Sequence, residues 1–193
     1  MTQIPLIGTE LVRCTWCGTD PLYVRYHDEE WGKEVHDDQV LFEFLVLESA
    51  QAGLSWITIL RRRENYRQAF AGFDPLQVAA FGEHDVERLM NDAGIIRNRM
   101  KIEAAINNAR EFLKVQAEFG SFDTYLYSFM PEGKPIVNKI STSADIPAKT
   151  EISDRIAKDM KKRGFKFFGS TICYAHMQAT GMVNDHLETC ICR

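Results

Sequence analysis

The chain has 193 residues, of which 45% are hydrophobic and 26% are charged, and its formal net charge at pH 7 is −4. It is long enough to bury one substantial core, and no apolar run approaches the length of a membrane span. Since the first ten residues also lack the basic start and apolar centre of a signal peptide, we expect a monomeric cytoplasmic protein whose five cysteines are reduced thiols or metal ligands.

Capping residues and the helical spacing of apolar side chains predict a series of helices. Asp37 and Asp38 can cap the first and Ser55 the second, while either Thr150 or Ser153 opens the seventh. The predicted helices cover residues 37–51, 55–60, 74–81, 83–92, 98–118, 121–130, 150–164 and 169–181.

No segment has the pattern of a convincing strand, so the predicted fold class is all-α. We expect residues 1–11 to be an N-terminal extension and residues 12–193 to form a single domain. Within that domain we expect a helical core at residues 37–130 and a long loop at residues 131–147. The two terminal segments are residues 12–36 and 150–193.

A glycine hairpin near residues 92–98 separates two of these helices. Gly94 permits a tight turn, and Arg97, Arg99 and Lys101 follow at the start of the longer helix. Free N–H groups at a helix N-terminus, with basic side chains beside them, can bind the phosphates of a nucleic acid of any sequence. The hairpin is therefore a candidate nucleic-acid contact.

Two further basic runs occur in the chain. One is formed by residues 61–63 with Arg67, and the other by residues 161–163 with Lys166. Because charge runs are usually solvated faces, we interpret the second of them as a surface without a binding function.

Cysteine and histidine residues lie in pairs near the two ends of the chain. Cys14 and His27 form the first pair, and His186 and Cys190 form the second. Thiolate and imidazole suit a closed tetrahedral zinc site, and a four-residue step on a helix would place His186 and Cys190 on one face. We therefore predict a structural zinc ion that joins the two terminal segments. Two neighbouring thiols could replace one of these ligands: Cys17 and Cys192.

Aromatic side chains that carry a polar atom are concentrated near the N-terminus. They are Trp16, Tyr23, Tyr26, Trp31 and Trp56. Glu48 lies nearby in an apolar helical stripe, and burying its carboxylate without a partner would cost several kcal/mol, so it must be paired, hydrogen-bonded or protonated. Such a carboxylate among aromatic rings would hold a flat, cationic or hydrogen-bond-donating heterocycle.

Eight stretches of the sequence resemble, in order, those of a known family. They are DPLYVRYHD (20–28), EWG (30–32), QAGLSWI (51–57), RENY (63–66), DAGIIR (92–97), KRGFKF (162–167), TICY (171–174) and GMVNDH (181–186). Over about residues 13–192 the chain resembles the DNA-3-methyladenine glycosylases of type I, members of the helix-hairpin-helix glycosylase superfamily.

The resemblance implies the helix-hairpin-helix DNA glycosylase fold and removal of 3-methyladenine from alkylated double-stranded DNA. It implies a structural zinc bound by the four cysteine and histidine residues named above. It also implies a base pocket that includes Glu48, Tyr26 and Trp56, with the other three aromatic residues completing it. In the Gly53–Leu54 turn, Leu54 resembles the wedge that enters the DNA stack.

The sequence departs from the wider superfamily in two ways. No aspartate lies between Asp92 and Asp123, where many members carry one that supports the attack of water, and Ile96 stands where a second glycine is common. A base methylated at N3 is already cationic and leaves readily, so we assign Glu48 chiefly to base recognition within a monofunctional glycosylase. Lys101 is assigned to a phosphate contact and not to nucleophilic attack.

Two other functions are compatible with the same residues. One is a hydrolase in which the zinc ion is catalytic, although four protein ligands would close the coordination position that such a zinc needs. The other is a non-catalytic, zinc-stabilised nucleic-acid-binding module that uses the aromatic residues only for stacking. A stacking module leaves the carboxylate of Glu48 unexplained, because it would repel phosphate.

Overall fold

The computed structural model describes residues 12–193, and helices predominate in them, as the all-α class predicts. The expected extension at residues 1–11 lies outside the described residues. The helices are α1 (Pro21–Glu29), α2 (Asp38–Gln51), α3 (Trp56–Leu60), α4 (Arg63–Ala69), α5 (Pro75–Ala79), α6 (Glu83–Met90), α7 (Arg99–Phe119), α8 (Phe122–Tyr127), α9 (Glu151–Arg163) and α10 (Ser170–Ala179). Short 3-10 turns occur at Thr15–Cys17, Ala71–Phe73, Pro131–Gly133 and Ser143–Asp145. None of the described helices combines the length and the apolar character needed to cross a membrane.

The eight helices predicted from the sequence are present, and their ends lie within a few residues of the predicted ones. Their caps are local features: Asp37 accepts hydrogen bonds from the N–H groups of the second and third residues of α2. Asn98 and Thr150 cap α7 and α9 through one such bond each. Side-chain caps of this kind satisfy N–H groups that the helix itself leaves free, which is why these starts are visible in the sequence.

The sequence analysis missed two helices, α1 and α4. Helix α1 begins with a clear signal, because Asp20 accepts hydrogen bonds from two N–H groups of its first turn and Pro21 occupies its first position. Charged residues, however, alternate with the aromatic ones along α1, so no continuous apolar stripe marks it as a helix. Helix α4 is seven residues long and buries only Tyr66 and Ala69, so its apolar pattern is too short to be read.

The sequence predicts no convincing sheet, and the described residues contain one pair of two-residue strands, the first of them in the expected loop. Strand β1 (Ile136–Val137) pairs in parallel with strand β2 (Val183–Asn184), and Ile140 forms an isolated bridge with Leu187. Two residues are too few to show the two-residue periodicity of a strand. The pairing is therefore a product of tertiary packing, and it holds the loop before α9 against the C-terminal segment.

Helix α2 is the most deeply buried element. All of residues 41–50 are buried, because α7 and α8 pack against this helix and α10 packs against it as well. A helix buried on every face is normally apolar throughout, yet Glu43 and Glu48 are both in this stretch. Each of these carboxylates needs a compensating interaction or a function.

The C-terminal segment returns to the N-terminal segment directly after α10. The N–H of Gly32 donates to the carbonyl oxygen of Gln178 at the end of α10, at 2.9 Å. Gly181 follows with φ of 69°, and a Cβ atom at this position would lie 2.2 Å from the carbonyl carbon of Lys33. Only glycine permits this approach of two backbones, which brings the C-terminal residues beside α1.

Candidate functional site

A cavity of about 420 Å³ opens between α1, α2, α10 and the loop that precedes α9. All five aromatic residues singled out in the sequence line this cavity, and Glu48 lines it too. The other lining residues are Gln51, Ser143, Ile146, Pro147, Ala148, Ala175 and Gln178. The structure thus brings together side chains from four separate parts of the chain, and we call this cavity the aromatic pocket.

The rings of the aromatic pocket meet at steep angles. The ring centroid of Trp16 lies 5.1 Å from that of Tyr23 and 4.9 Å from that of Trp31, and those of Tyr26 and Trp56 are 5.5 Å apart. The indole N–H groups of Trp16 and Trp56 are buried without a hydrogen-bond partner among residues 12–193. The wall therefore combines ring faces with two donors whose hydrogen bonds are unmet.

Glu48 is 4% exposed, and its carboxyl group has no charged or hydrogen-bonding partner in the described part of the chain. Burial raises the pKa of this carboxyl group to about 8, because loss of water disfavours the ionised form and no cation restores it. The titratable groups beside it are the phenols of Tyr23 and Tyr26, whose pKa values burial also raises. A cationic ligand in the pocket would supply the partner that Glu48 lacks.

Glu43, the other buried carboxylate of α2, is fully compensated. It is 3% exposed and accepts hydrogen bonds from Arg63 at 2.6 Å and from Arg67 at 2.8 Å. Arg63 also donates to Glu30 at 2.5 Å. The contrast separates a structural carboxylate from one that is free to act on a ligand, and the sequence analysis had considered only Glu48.

The same contacts explain the basic run at residues 61–63 with Arg67. Arg61 pairs with Asp20, and Arg63 and Arg67 pair with Glu43. These three arginines neutralise carboxylates of the protein itself. They are therefore structural and not a phosphate-binding surface.

The sequence analysis missed one wall of the pocket, formed by loop residues 143–148 and by α10. Gln178 is oriented by the buried carboxylate of Asp185, which accepts a hydrogen bond from its side-chain amide at 2.8 Å. Asp185 also accepts hydrogen bonds from Tyr174 at 2.7 Å and from Asn138 at 2.6 Å. No spacing in the sequence connects these residues, because the loop and α10 meet only in the tertiary structure.

The turn after α2 lies at one edge of the pocket. Gly53 has φ of 82°, a conformation that favours glycine, and the next residue, Leu54, is 40% exposed. An exposed leucine on a tight turn can be inserted into an apolar gap of a partner. The geometry is compatible with the wedge that the sequence resemblance implies.

Lys101, expected to contact phosphate, is instead directed into the protein. Its ammonium group donates to the carbonyl oxygens of Ala50 at 2.9 Å and Ala52 at 2.6 Å, and partial burial lowers its pKa. Those carbonyls belong to the free C-terminal end of α2, where a cation is favourable. Lys101 therefore links the start of α7 to the turn that carries Leu54.

Replacing Lys101 with Met should lower the free energy of unfolding by about 1–2 kcal/mol, because two carbonyl oxygens lose a charged donor. Lys114→Met is the matched control, since Lys114 lies on the exposed side of the same helix and, within residues 12–193, its ion-pair partner is Glu111 alone. The control should change stability by about 0.5 kcal/mol or less. Urea unfolding measures both, and equal losses would contradict the assigned role of Lys101.

Residues 91–98 connect α6 to α7 and contain the predicted glycine hairpin, whose three basic residues differ in their contacts. A Cβ at Gly94 would lie 3.0 Å from side-chain atoms of Asn65 and Asp92, so glycine permits the close packing of the turn. Arg97 is exposed and forms no ion pair with the described residues. Arg99 is surrounded by carboxylates, and its partners are Glu83, Glu87 and Glu103. Arg97 is thus the available cation of this hairpin.

Cys14, His27, His186 and Cys190 form a buried group that could hold a metal ion. The Sγ atom of Cys14 lies 3.5 Å from Nδ1 of His186, and that of Cys190 lies 3.4 Å from both Nε2 of His27 and Nδ1 of His186. In a tetrahedral zinc site, sulfur and nitrogen ligands are about 3.5 Å apart. The four ligand atoms therefore have the separations that a shared ion requires.

The surroundings of this group favour the same interpretation. His27 can donate from Nδ1 to Asp28 at 2.7 Å, and His186 from Nε2 to the carbonyl oxygen of Trp31 at 2.9 Å, which leaves one nitrogen of each ring for a metal. The N–H of Leu187 points to the sulfur of Cys14 at 3.4 Å. Such outer contacts orient metal ligands and stabilise thiolates.

One prediction about the group was wrong: His186 and Cys190 are not on a helix. Both residues lie in the irregular segment after β2, and the N–H of Cys190 donates to the carbonyl oxygen of Leu187. Of the two alternative ligands, Cys17 is directed to the carbonyl oxygen of Cys14, and Cys192 lies 3.9 Å from Nδ1 of His27. A ligand role for Cys192 would need His27 to use its other nitrogen.

Comparison with known proteins gives a consistent result. A family model described as methyladenine glycosylase matches residues 16–193. A relative from Escherichia coli (strain K12), called DNA-3-methyladenine glycosylase 1, is 53% identical over 93% of this chain and 96% of its own length. A crystal structure of 3-methyladenine DNA glycosylase I is 51% identical, covers 94% of this chain and all of its own, and superposes with a TM-score of 0.91. A variant of such an enzyme in complex with 3-methyladenine is 37% identical, with coverage of 93% and 96% and a TM-score of 0.90.

Proposed function

The chain belongs to the methyladenine glycosylase family, and on that premise we propose that its aromatic pocket receives 3-methyladenine from alkylated DNA and that Glu48 recognises the cationic base. The protein is a DNA glycosylase, an enzyme that hydrolyses the N-glycosidic bond of the damaged nucleotide. The observation that carries the assignment of the pocket is Glu48: it is buried, lacks a partner among residues 12–193 and lies among five aromatic rings.

The charge of the lesion fits the charge that Glu48 can supply. Methylation at N3 makes adenine cationic, and a cation beside the carboxyl group favours its ionised form. With a pKa of about 8, the empty pocket holds Glu48 mostly protonated at neutral pH, so binding of the base is coupled to loss of this proton. Unmodified adenine is neutral and gains no ion pair with Glu48, which stays protonated beside it, and this difference provides discrimination.

The chemistry of the leaving group limits what the protein must do. A cationic base departs as a neutral molecule and leaves positive charge on an oxocarbenium-like sugar, which water then attacks. No strong general acid is needed. Ring faces of Trp16, Tyr26 and Trp56 would hold the base plane. Glu48 contributes to the rate only to the extent that its carboxylate interacts more strongly with the transition state than with the bound substrate.

Access to the base requires the nucleotide to leave the duplex. Flipping costs a few kcal/mol, and an apolar wedge that fills the vacated gap offsets part of this cost. The exposure of Leu54 and its turn at the edge of the pocket support that role. We assign α6, the glycine hairpin and α7 as the helix-hairpin-helix element, in which Gly94 and Arg97 would contact phosphates.

The four-residue metal group is best explained as a structural zinc site. Its ligands would be Cys14, His27, His186 and Cys190, a closed set that leaves no position for a substrate or for an activated water. When bound, zinc would stabilise the fold by joining the N- and C-terminal segments. A catalytic zinc is not supported by four buried protein ligands, and we expect a monomeric enzyme with a single domain over residues 12–193.

Release of free base from methylated duplex DNA, identified by chromatography, tests the function. We expect selective release of 3-methyladenine, with abasic sites accumulating in the DNA. Binding of duplex DNA by a folded, metal-loaded protein that releases no base would support the non-catalytic binding module instead.

A further inference from the structure

A cavity of about 660 Å³ lies where the end of α9, the turn after it and the start of α10 meet. We propose that this groove is a second DNA-backbone site, in which Lys158, Lys161 and Lys166 bind phosphates beside the flipped nucleotide. We call it the lysine groove. The inference rests on the proposed function in taking DNA as the partner, and it assigns a binding role to a basic run that the sequence analysis interpreted as a surface without function.

The charge of this surface is opposite to that of the whole chain. Residues 158–167 contain five basic residues and one acidic residue, whereas the protein carries a formal net charge of −4. Lys158, Lys161 and Lys166 are exposed and form no ion pair within residues 12–193. Asp159, the acid of this stretch, is neutralised by Arg163 at 2.7 Å. A concentrated, uncompensated positive charge on an acidic protein attracts a polyanion.

The groove also has a shape that a nucleic-acid backbone can use. Phe167 lines it, is 36% exposed and has φ of 52°, a conformation that is strained for an aromatic residue. Gly169 begins α10 without a side chain, so the first N–H groups of that helix are not capped by it. Lysines, a partly exposed ring and free N–H groups are the contacts that position a phosphate–sugar backbone.

The lysine groove is next to the pocket entrance. Its residues Gly169 and Ser170 lead directly into Thr171 and Ile172, which line a smaller cavity of about 230 Å³ together with Leu54 and Glu48. The first turn of α10 therefore connects the proposed wedge to the lysines. A strand opened at Leu54 would pass over the start of α10 and reach the groove.

The engagement of the other cations strengthens the assignment. In the glycine hairpin, Arg99 pairs with glutamates and the ammonium group of Lys101 is directed to carbonyl oxygens, so Arg97 is the cation that the described residues leave unengaged there. One free cation on a hairpin gives little electrostatic attraction to DNA for an acidic protein. The lysine groove supplies the attraction that the hairpin lacks.

The test is the salt dependence of binding to a duplex that contains a stable abasic-site analogue. We expect Lys161→Gln/Lys166→Gln to weaken binding about tenfold at moderate salt and to reduce the slope of log affinity against log salt by about 2, since each lost phosphate contact removes about 0.9. Lys114→Gln/Lys134→Gln makes the same change in net charge elsewhere and should leave the slope nearly unchanged.

A slope that falls equally in both double variants, or in neither, would overturn the proposal. Unfolding of each variant in urea verifies that these exposed substitutions leave the fold intact. Base release by the wild type is measured in the same samples. If the wild type releases 3-methyladenine while the salt slope is the same in the wild type and the groove variant, the proposed DNA contact is wrong and the enzyme assignment stands. If no base is released, the salt slope still tests the lysine groove as a DNA contact.

Discussion

Replacing Glu48 with Gln is expected to slow the release of 3-methyladenine from methylated duplex DNA by about tenfold to a hundredfold. The amide keeps the size and the hydrogen-bonding capacity of the side chain but removes the charge that pairs with the cationic base. Hydrogen bonds to charged groups contribute about 1.5–3 kcal/mol, which corresponds to this range of rates. Single-turnover release of base, with the product identified by chromatography, measures the effect.

Glu43→Gln is the matched control, because Glu43 is the other buried carboxylate of α2 and binds Arg63 and Arg67. It should lower the free energy of unfolding by about 3 kcal/mol or more while leaving the rate of the folded enzyme close to that of the wild type. An unchanged rate for Glu48→Gln would remove Glu48 from base recognition. If both variants lost the same fraction of the rate, the effect would come from removing a buried charge from α2. It would then report a requirement of the fold and not recognition of the base by Glu48.

The same Glu48→Gln variant should be more stable than the wild type at alkaline pH. The pKa of the carboxyl group is about 8 in the folded protein and 4.5 ordinarily, so between these values the folded state holds a proton that the unfolded state has released. Within that window the free energy of unfolding falls as pH rises. Glutamine removes this slope, and the variant should gain on the order of 5 kcal/mol relative to the wild type at pH 9 but not at pH 4.

Urea unfolding at pH 4, 7 and 9 measures this difference. A gain at alkaline pH together with slower base release would show that the enzyme tolerates a destabilising group because the group is needed for its ligand. A constant difference at all three values would mean that Glu48 titrates normally. In that case its burial would not raise its pKa as the structure indicates.

Replacing Cys190 with Ala is expected to remove the bound metal and to lower the free energy of unfolding by about 3 kcal/mol or more. In the proposed zinc site this thiolate would be one of four ligands from segments more than 150 residues apart in the chain, and binding of a structural metal contributes directly to folding. For a chain of this size the melting temperature should fall by about 6–12 °C. Metal analysis of the purified protein should find one zinc ion per wild-type chain and less in the variant.

Cys192→Ala is the control, since Cys192 lies near the group but its sulfur is 3.9 Å from the outer nitrogen of His27. It should keep its metal and melt close to the wild type. A normal melting temperature for Cys190→Ala, with activity lost, would contradict the structural role and favour a metal ion that takes part in the reaction. Equal losses in both cysteine variants would show that Cys192 is itself a ligand.

The amino-acid sequence by itself determined the local features of this protein. The caps at Asp37, Asn98 and Thr150 act on N–H groups within the same turn, and so the starts of α2, α7 and α9 could be predicted from adjacent residues. The association of Cys14, His27, His186 and Cys190 could be predicted from residue types, because thiolate and imidazole together suit a tetrahedral metal site, and the structure brings the four side chains together. The aromatic residues indicated a pocket through their concentration in one region.

Only the tertiary structure decided which charges are free. Glu43 and Glu48 are both buried acids of α2, and what separates them is Arg63, which reaches Glu43 from α4. The same reason applies to the lysines. Carbonyl oxygens at the end of α2 engage Lys101, which the sequence predicts to be a phosphate contact. No described carboxylate reaches Lys158 and Lys161 of α9, so their charges stay available. A side chain's charge is a property of the residue, but its compensation depends on groups that folding brings from distant parts of the chain.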